Sequence, residues 1–365
     1  MSGLEISDIR ARFGHAEVLR GIDCRVAAGE TVVLFGPSGA GKTTLLRAIA
    51  GVEPAASGVV RIDGREVQDL EPEHRPLGMA FQNFSLYPHL SAYENIASPL
   101  RARRLRSQEI EVRVRRVAEL LRIGHVLGHI PRELSNGQKQ RTALARALVA
   151  EPPVLLLDDP LRNVDAKLRY EMRLELPPLL RKTGAAVIFV TQDFREAMAL
   201  ADRVVVLREG AVLQDAPAEE VYEAPASVPV AQLFGDPPMN LLSAHLVPEG
   251  NRVRAEAAGM APSFADLDIT HLERPFLGVR PEDVLLASRP AGGAHAEILA
   301  VTPLHDRCVL LLRAADGTEL VASVTGAAPE PGTFVSIAGA RHAVLFDPVN
   351  GHRLAISGAR TEVAA

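Results

Sequence analysis

The strongest chemical signal in the chain is an eight-residue run, Gly36-Pro37-Ser38-Gly39-Ala40-Gly41-Lys42-Thr43. It satisfies the pattern G-x-x-x-x-G-K-[ST] at every position. Glycines in such a run let backbone N–H groups converge on phosphate oxygens. A helix that starts at its end, with Lys42, Thr43 and Thr44 in the first turn, adds a partial positive charge. Lys42 can reach the outer phosphates, and the Thr43 hydroxyl can ligate Mg²⁺. The chemistry these residues imply is the binding of a nucleoside triphosphate. A second polar cluster closes an apolar run further along: Asp158 and Asp159 in VLLLDDP, residues 154–160. A carboxylate there suits a hard cation, held directly or through water.

Those residues need particular elements to position them. The run Thr31 to Phe35 (TVVLF) is short, apolar and β-branched, which predicts a buried strand leading into the glycine loop. TTLLRAIAG predicts the helix that follows, ended by Gly51. Val154 to Leu157 and Ala186 to Val190 predict two more buried strands, each delivering polar residues at its C-terminal end. Leu4 to Arg12 and Val18 to Val26 alternate apolar and polar residues around Gly14, as antiparallel strands do. Hairpins are expected at 59–67 and 204–213, and a helix over 107–129. Arginines at 101, 103, 104, 106, 113, 115 and 116 alternate with glutamates and aliphatic residues, which predicts a solvated helix face rather than a phosphate site.

The character changes near residue 235. GDPPMN breaks regularity, and no lysine follows it. Short strand-like runs recur at 245–247, 276–279, 296–301, 308–312, 319–324, 334–337 and 343–346, separated by Gly, Pro and Asp. This predicts a small all-β barrel over 236–365 after an α/β domain over 1–235.

Composition narrows the class. A net charge of -5 gives no global basic field, and 4% aromatic residues with no Trp leave little for base stacking, so a nucleic-acid partner is not expected. No stretch reaches the roughly 20 apolar residues that span a bilayer, and the N-terminus has no apolar signal segment. Cys24 and Cys308 are far apart and lack metal-ligand spacing, so two reduced thiols are expected.

A further signature specifies the kind of nucleotide binder. Leu134-Ser135-Asn136-Gly137-Gln138-Lys139-Gln140-Arg141 precedes the helix TALARALVAE, and about 20 residues separate Gln138 from Asp158. This order closely resembles the ATPases of ABC transporters, whose hallmark is an LSGGQ-type signature at that spacing before the Walker B strand. Phe81-Gln82 resembles the family's Q-loop, Thr191-Gln192-Asp193 stands at its switch loop, and Phe13 stands where an aromatic stacks on adenine. The resemblance covers essentially the whole chain. YPHLSAYENI, DAKLR, GDPPMN and GVRPEDVLL narrow it to importers of carbohydrates, polyols such as glycerol, or glycerol phosphates, which carry a C-terminal regulatory TOBE barrel of the oligonucleotide-binding-like shape.

The resemblance implies an α/β P-loop NTPase cassette with a helical subdomain around 87–150. It implies ATP and Mg²⁺ as cofactors, with the metal held by Thr43, Gln82 and Asp158. Cassettes of this family pair head to tail. Ser135, Asn136, Gly137 and Gln138 would then face the ATP on a second ATPase subunit, and residues 83–98, with Phe84, Leu86, Tyr87 and Leu90, would receive a membrane subunit. Two transmembrane permease subunits are the expected partners, with a substrate-binding protein outside the membrane acting indirectly. The chain is expected at the cytoplasmic face of the inner membrane.

Four positions depart from the family pattern. Asp159 stands where Glu polarises the attacking water, and a side chain one methylene shorter retreats by about 1.5 Å. Gln192 replaces the switch histidine and cannot carry charge or a proton. Asn136 replaces the first signature glycine. Arg162-Asn163-Val164-Asp165 replaces Ser-x-Leu-Asp in the D-loop, and Arg162 is expected to reach across to the partner's site. Asp159 and Gln192 together predict an impaired site of the chain's own, with Lys42 still binding nucleotide. They also predict pairing with a different, intact ATPase chain, against a symmetric homodimer as the alternative. An ATP-binding regulatory module with little hydrolysis is the alternative of another class.

Overall fold

The computed structural model describes residues 3–14, 16–265, 267, 272–287, 294–304, 306–326 and 329–357. They fall into two compact units, Met1–Glu219 and Glu220–Ala365.

The first unit opens with β1 (Gly3–Phe13) and β2 (Ala16–Ala27), paired antiparallel as the alternation requires. β3 (Thr31–Phe35) leads to α1 (Lys42–Ala50), which Gly51 ends in the left-handed region at φ 76°. β4 (Ser57–Ile62) and β5 (Arg65–Glu66) form the expected hairpin. Then come β6 (Leu77–Ala80), α2 (Ala92–Ala102), α3 (Ser107–Leu120) and α4 (Asn136–Leu148). β7 (Val154–Asp158), α5 (Ala166–Thr183), β8 (Ala186–Thr191), α6 (Phe194–Leu200), β9 (Arg203–Arg208) and β10 (Ala211–Ala216) follow.

One sheet has the order β2-β1-β4-β5 and the other β10-β9-β3-β8-β7-β6. The second is parallel from β9 to β6. Its central strands are buried at every residue, so they read as unbroken apolar runs. Val32 and Leu34 of β3 pack with Leu45, Leu46 and Ile49 of α1 and with Ile6, Leu19 and Ile22 of the antiparallel sheet. The helix of the glycine loop is thereby clamped between two sheets. Ligand sites in open parallel sheets lie beyond the carboxyl ends of the strands, and both Asp158 and Thr191 end such strands here.

The helix expected over 107–129 is shorter. α3 stops at Leu120, because Arg122 takes a left-handed φ of 55° and a 3₁₀ turn occupies Gly124–Val126. Its arginines pair along the surface as expected, Arg113 with Glu109 at 2.7 Å and Arg115 with Glu111.

In the second unit all seven expected strand runs are strands. They belong to three antiparallel sheets of four, three and five strands. The five-stranded sheet carries the longest ladder, Ala294–Pro303 against Cys308–Ala314. Leu277, Val279, Ile298, Leu310, Leu312 and Leu345 share its core. The boundary expected at 235 falls instead after Glu219. Residues 220–235 join the second unit because buried Arg280 grips them: it donates to the Tyr222 carbonyl at 2.6 Å and to that of Phe234, and lies 3.9 Å from the Tyr222 ring centre. No spacing in the sequence announces that grip. Both cysteines are buried free thiols.

Candidate nucleotide site

The glycine run forms the loop between β3 and α1. Gly36, Gly39 and Gly41 all have left-handed-side φ values, 157°, 80° and 99°. A Cβ on Gly36 would lie 2.1 Å from the Leu207 carbonyl oxygen, and one on Gly41 would lie 2.8 Å from the Leu19 side chain. The glycines are therefore required by the backbone path as well as by any phosphate.

Lys42 is buried, and its Nζ donates to the Gly36 and Pro37 carbonyls, each at 2.7 Å. Burial lowers its pKa, opposed by the nearby Asp159 and Asp158 carboxylates. Thr43 Oγ1 donates to Asp158 Oδ1 at 2.9 Å, which sets two hard oxygens side by side at the loop's exit. Asp158 and Asp159 are buried at the end of β7, and burial raises the pKa of each. For Asp158 the Thr43 hydroxyl opposes the rise, and for Asp159 the Arg162 guanidinium does. Asp159 takes a φ of 45°, with its amide donating to Val190 of β8 at 3.1 Å. A left-handed Asp is tolerated but costly, and its rigid tether to β8 holds it there.

A cavity of about 390 Å³ is lined by Val18, residues 38–44, Gln82, Asp159, Arg162, Val190 and Gln192. Sequence-distant groups thus meet on one surface. Asn163 Nδ2 donates to the Gln82 carbonyl at 2.9 Å, tying the D-loop to the Q-loop. Arg162 also lines this cavity, and its Nη1 lies 3.6 Å from Asp159 Oδ2 in the same chain. The i,i+3 spacing across a turn brings the two together.

The signature residues stand elsewhere, and none of them lines the cavity. Ser135 caps α4: its Oγ accepts from the Gln138 amide at 3.3 Å, and Gln138 Oε1 accepts from the Ser135 amide at 2.9 Å. A Cβ on Gly137 would meet Leu168 Cδ2 at 2.3 Å, so a side chain there would have to displace that leucine, while Asn136 stands exposed. Asp165 caps α5 through the Leu168 amide at 2.9 Å. Whether the Phe13 side chain stacks on a base lies outside the described residues. A larger cavity of about 590 Å³ among Arg113, Arg116, Leu120, Leu148, Glu151 and Lys182 contains none of the expected site residues.

Two family models match, "ABC transporter" over residues 19–162 and "TOBE domain" over 277–348. The sn-glycerol-3-phosphate import ATP-binding protein UgpC of Cereibacter sphaeroides is 42% identical over 97% of this chain and its own full length. The chain belongs to the ABC transporter family. A second protein of that name, from Rhodopseudomonas palustris, is 38% identical over 100% of this chain and 96% of its own. Among solved structures, the dimeric ATP-binding cassette MJ0796 in a post-hydrolysis state bound to ADP and Pi aligns with a TM-score of 0.54 and 29% identity, covering 59% of this chain and 98% of that one. As a family member the chain is an ATP-binding cassette with a C-terminal TOBE region.

Sequence reasoning missed two buried polar groups of this ABC cassette. Asn95, fully buried in α2, accepts from the Tyr87 amide at 2.7 Å and donates to the carbonyls of Tyr87, Leu90 and Ser91 at 3.0–3.1 Å. It fixes the segment after the Q-loop, where Phe84, Leu86, Tyr87 and Leu90 all keep some exposure. Asn95→Ala takes the side-chain partner from the Tyr87 amide and the Leu90 carbonyl, while the Tyr87 and Ser91 carbonyls keep backbone donors, and lowers stability by about 1–2 kcal/mol, measured by urea unfolding. An unchanged midpoint would show that water replaces the amide.

Glu196, buried in α6, accepts the Thr191 hydroxyl at 2.6 Å and sits 3.9 Å from Arg169, which also holds the D-loop carbonyls of Leu161 and Val164. Burial pushes its carboxyl up to about 7 from an ordinary 4.5. Folded Glu196 keeps a proton that the unfolded chain has released between those two values. Its contribution to stability is therefore full below pH 4.5 and lost as pH rises through 7, by about 1.4 kcal/mol per unit. Glu196→Gln should flatten that dependence: between pH 5.5 and 8 the parent's melting temperature should fall further than the variant's. Parallel falls would remove Glu196 as the cause.

Proposed function

We propose that the chain is the energy-coupling subunit of an ABC importer for a glycerol phosphate or a related polyol or sugar, working at the cytoplasmic face of the membrane. Binding of ATP to the Lys42 loop would draw two cassettes together. The names of its full-length relatives support the substrate class, and the TOBE region supports import. Among the described residues no group of three His, Cys, Asp or Glu is poised to hold a metal alone. The donor set instead fits Mg²⁺ shared with phosphate oxygens: Thr43 Oγ1 and Asp158 Oδ1, 2.9 Å apart, with Gln82 on the same cavity. A bound Mg²⁺ would neutralise phosphate charge there. Asp159 would orient water, Lys42 would hold the outer phosphates, and Gln192 would donate a neutral hydrogen bond.

The observation that carries the mechanism is the separation of the loop from the signature. Ser135, Asn136, Gly137 and Gln138 do not line the cavity that holds Lys42, and on this reading a second cassette would complete the site. Two transmembrane permeases would dock near residues 83–98, and an external binding protein would select the solute. Proteoliposomes carrying the chain with its co-purified permeases should take up labelled glycerol 3-phosphate or glycerol only with ATP inside. ATP-independent uptake, or no associated permease, would overturn the importer reading.

A second reading concerns hydrolysis. We infer that the chain's own site is slow and that its partner is a different cassette with an intact base. Asp159 is short, sits in a left-handed backbone and pairs with Arg162, while Gln192 cannot take a charge.

A further inference from the structure

Arg162 occupies a position where the family has a small hydroxyl, and its surroundings point inward. Its side chain is 51% exposed and lies on the same cavity as Lys42, Gln82 and Gln192. The backbone beneath it is fixed on three sides. Its amide donates to the Asp159 carbonyl at 3.3 Å, Arg169 Nη2 donates to its carbonyl at 3.4 Å, and its neighbour Asn163 is bound to Gln82.

A guanidinium has five N–H donors in a planar fork. The 3.6 Å approach to Asp159 Oδ2 engages one edge of that fork, and the remaining donors are available to the open cavity. A nucleoside triphosphate adds a terminal group of high negative charge, and Lys42 and Arg162 are the cationic side chains that line the cavity, since Gln192 is neutral. We propose that Arg162 is a second cationic ligand for the terminal phosphate of a nucleotide in this chain's own cavity, replacing in cis the positive charge that Gln192 lacks. This rests on the nucleotide-binding reading above. It makes the site selective for triphosphate over diphosphate even where hydrolysis is slow. The chain would then report the presence of ATP to its partner cassette by staying closed on it.

The test is calorimetric titration of the full-length chain with Mg-ATPγS and with Mg-ADP, for the parent, Arg162→Ala and Arg162→Lys. Arg162→Ala should weaken ATPγS about tenfold or more and leave ADP within about twofold, as expected for charge-assisted bonds made only to the third phosphate. Arg162→Lys should recover part of the loss, because charge survives without the fork. Retained ADP binding reports that each variant is folded. Unchanged or tighter ATPγS binding by Arg162→Ala would overturn the proposal and leave Arg162 as a restraint on Asp159. An equal loss of ADP would overturn it too, because the residue would then act through the loop. A parent chain that binds neither nucleotide would overturn the nucleotide-binding reading itself and the proposal with it.

Discussion

Replacing Asp159 by Glu and Gln192 by His together should raise Mg-ATP turnover of the assembled transporter by about 10²-fold at this chain's site. On the slow-site reading, each substitution would restore one function. Asp159 emerges from β7 with a φ of 45°, its carboxylate drawn to Arg162 and its backbone pinned to Val190. A glutamate from the same backbone would extend one methylene further towards the cavity that Lys42 and Gln192 line. A general base must come within hydrogen-bond reach of its water, so that extra length changes rate more than affinity. Histidine at 192 would add a group able to carry charge beside the terminal phosphate. The two changes act on one transition state, so the single variants should each gain less than their share of the double. The measurement is steady-state phosphate release with the partner's site silenced. A double variant no faster than the parent would mean that Asp159 and Gln192 already form a working site, and the slow-site reading would fall.

The parts of this fold that were legible in sequence are those whose periodicity has one physical solution. TVVLF, VLLLD and AVIFV are unbroken apolar runs because α-helices and a second sheet cover β3, β7 and β8 on both faces. The glycines of the loop were legible for two reasons at once, phosphate access and the 2.1 Å approach of Leu207 O to Gly36. What stayed hidden depends on contacts between distant residues. Arg280 captures residues 220–235 through carbonyls that any sequence has, so the domain boundary moved without a compositional mark. The helix after Ser107 stops at Leu120, ahead of a left-handed Arg122 that its charge pattern, still helical, does not encode. Asn95 and Glu196 look like ordinary helix residues until burial gives each several partners. Arg162 was visible as a departure, yet its direction depends on the turn that sets it 3.6 Å from Asp159.

Lys42→Ala decides between two arrangements of the pair. In the isolated chain it should weaken nucleotide binding by about 10²-fold, since it removes a buried charge that the loop is built around. Lys42 Nζ is held by the Gly36 and Pro37 carbonyls, inside a loop whose path excludes side chains at Gly36 and Gly41. The loop carbonyls then lose their donor, and the phosphates lose their only buried cation among the lining residues. In the assembled transporter the outcome depends on whose site turns over. If a second, intact cassette hydrolyses ATP against Ser135, Gly137 and Gln138 of this chain, turnover should survive Lys42→Ala and vanish when the partner's equivalent lysine is changed. On that reading the exposed, capped start of α4 would be the part that serves a partner. If the pair is two copies of this chain, Lys42→Ala empties both sites and turnover vanishes. Phosphate release from the two single-site variants, measured side by side, separates these cases, because an asymmetric pair must respond unequally and a symmetric one cannot.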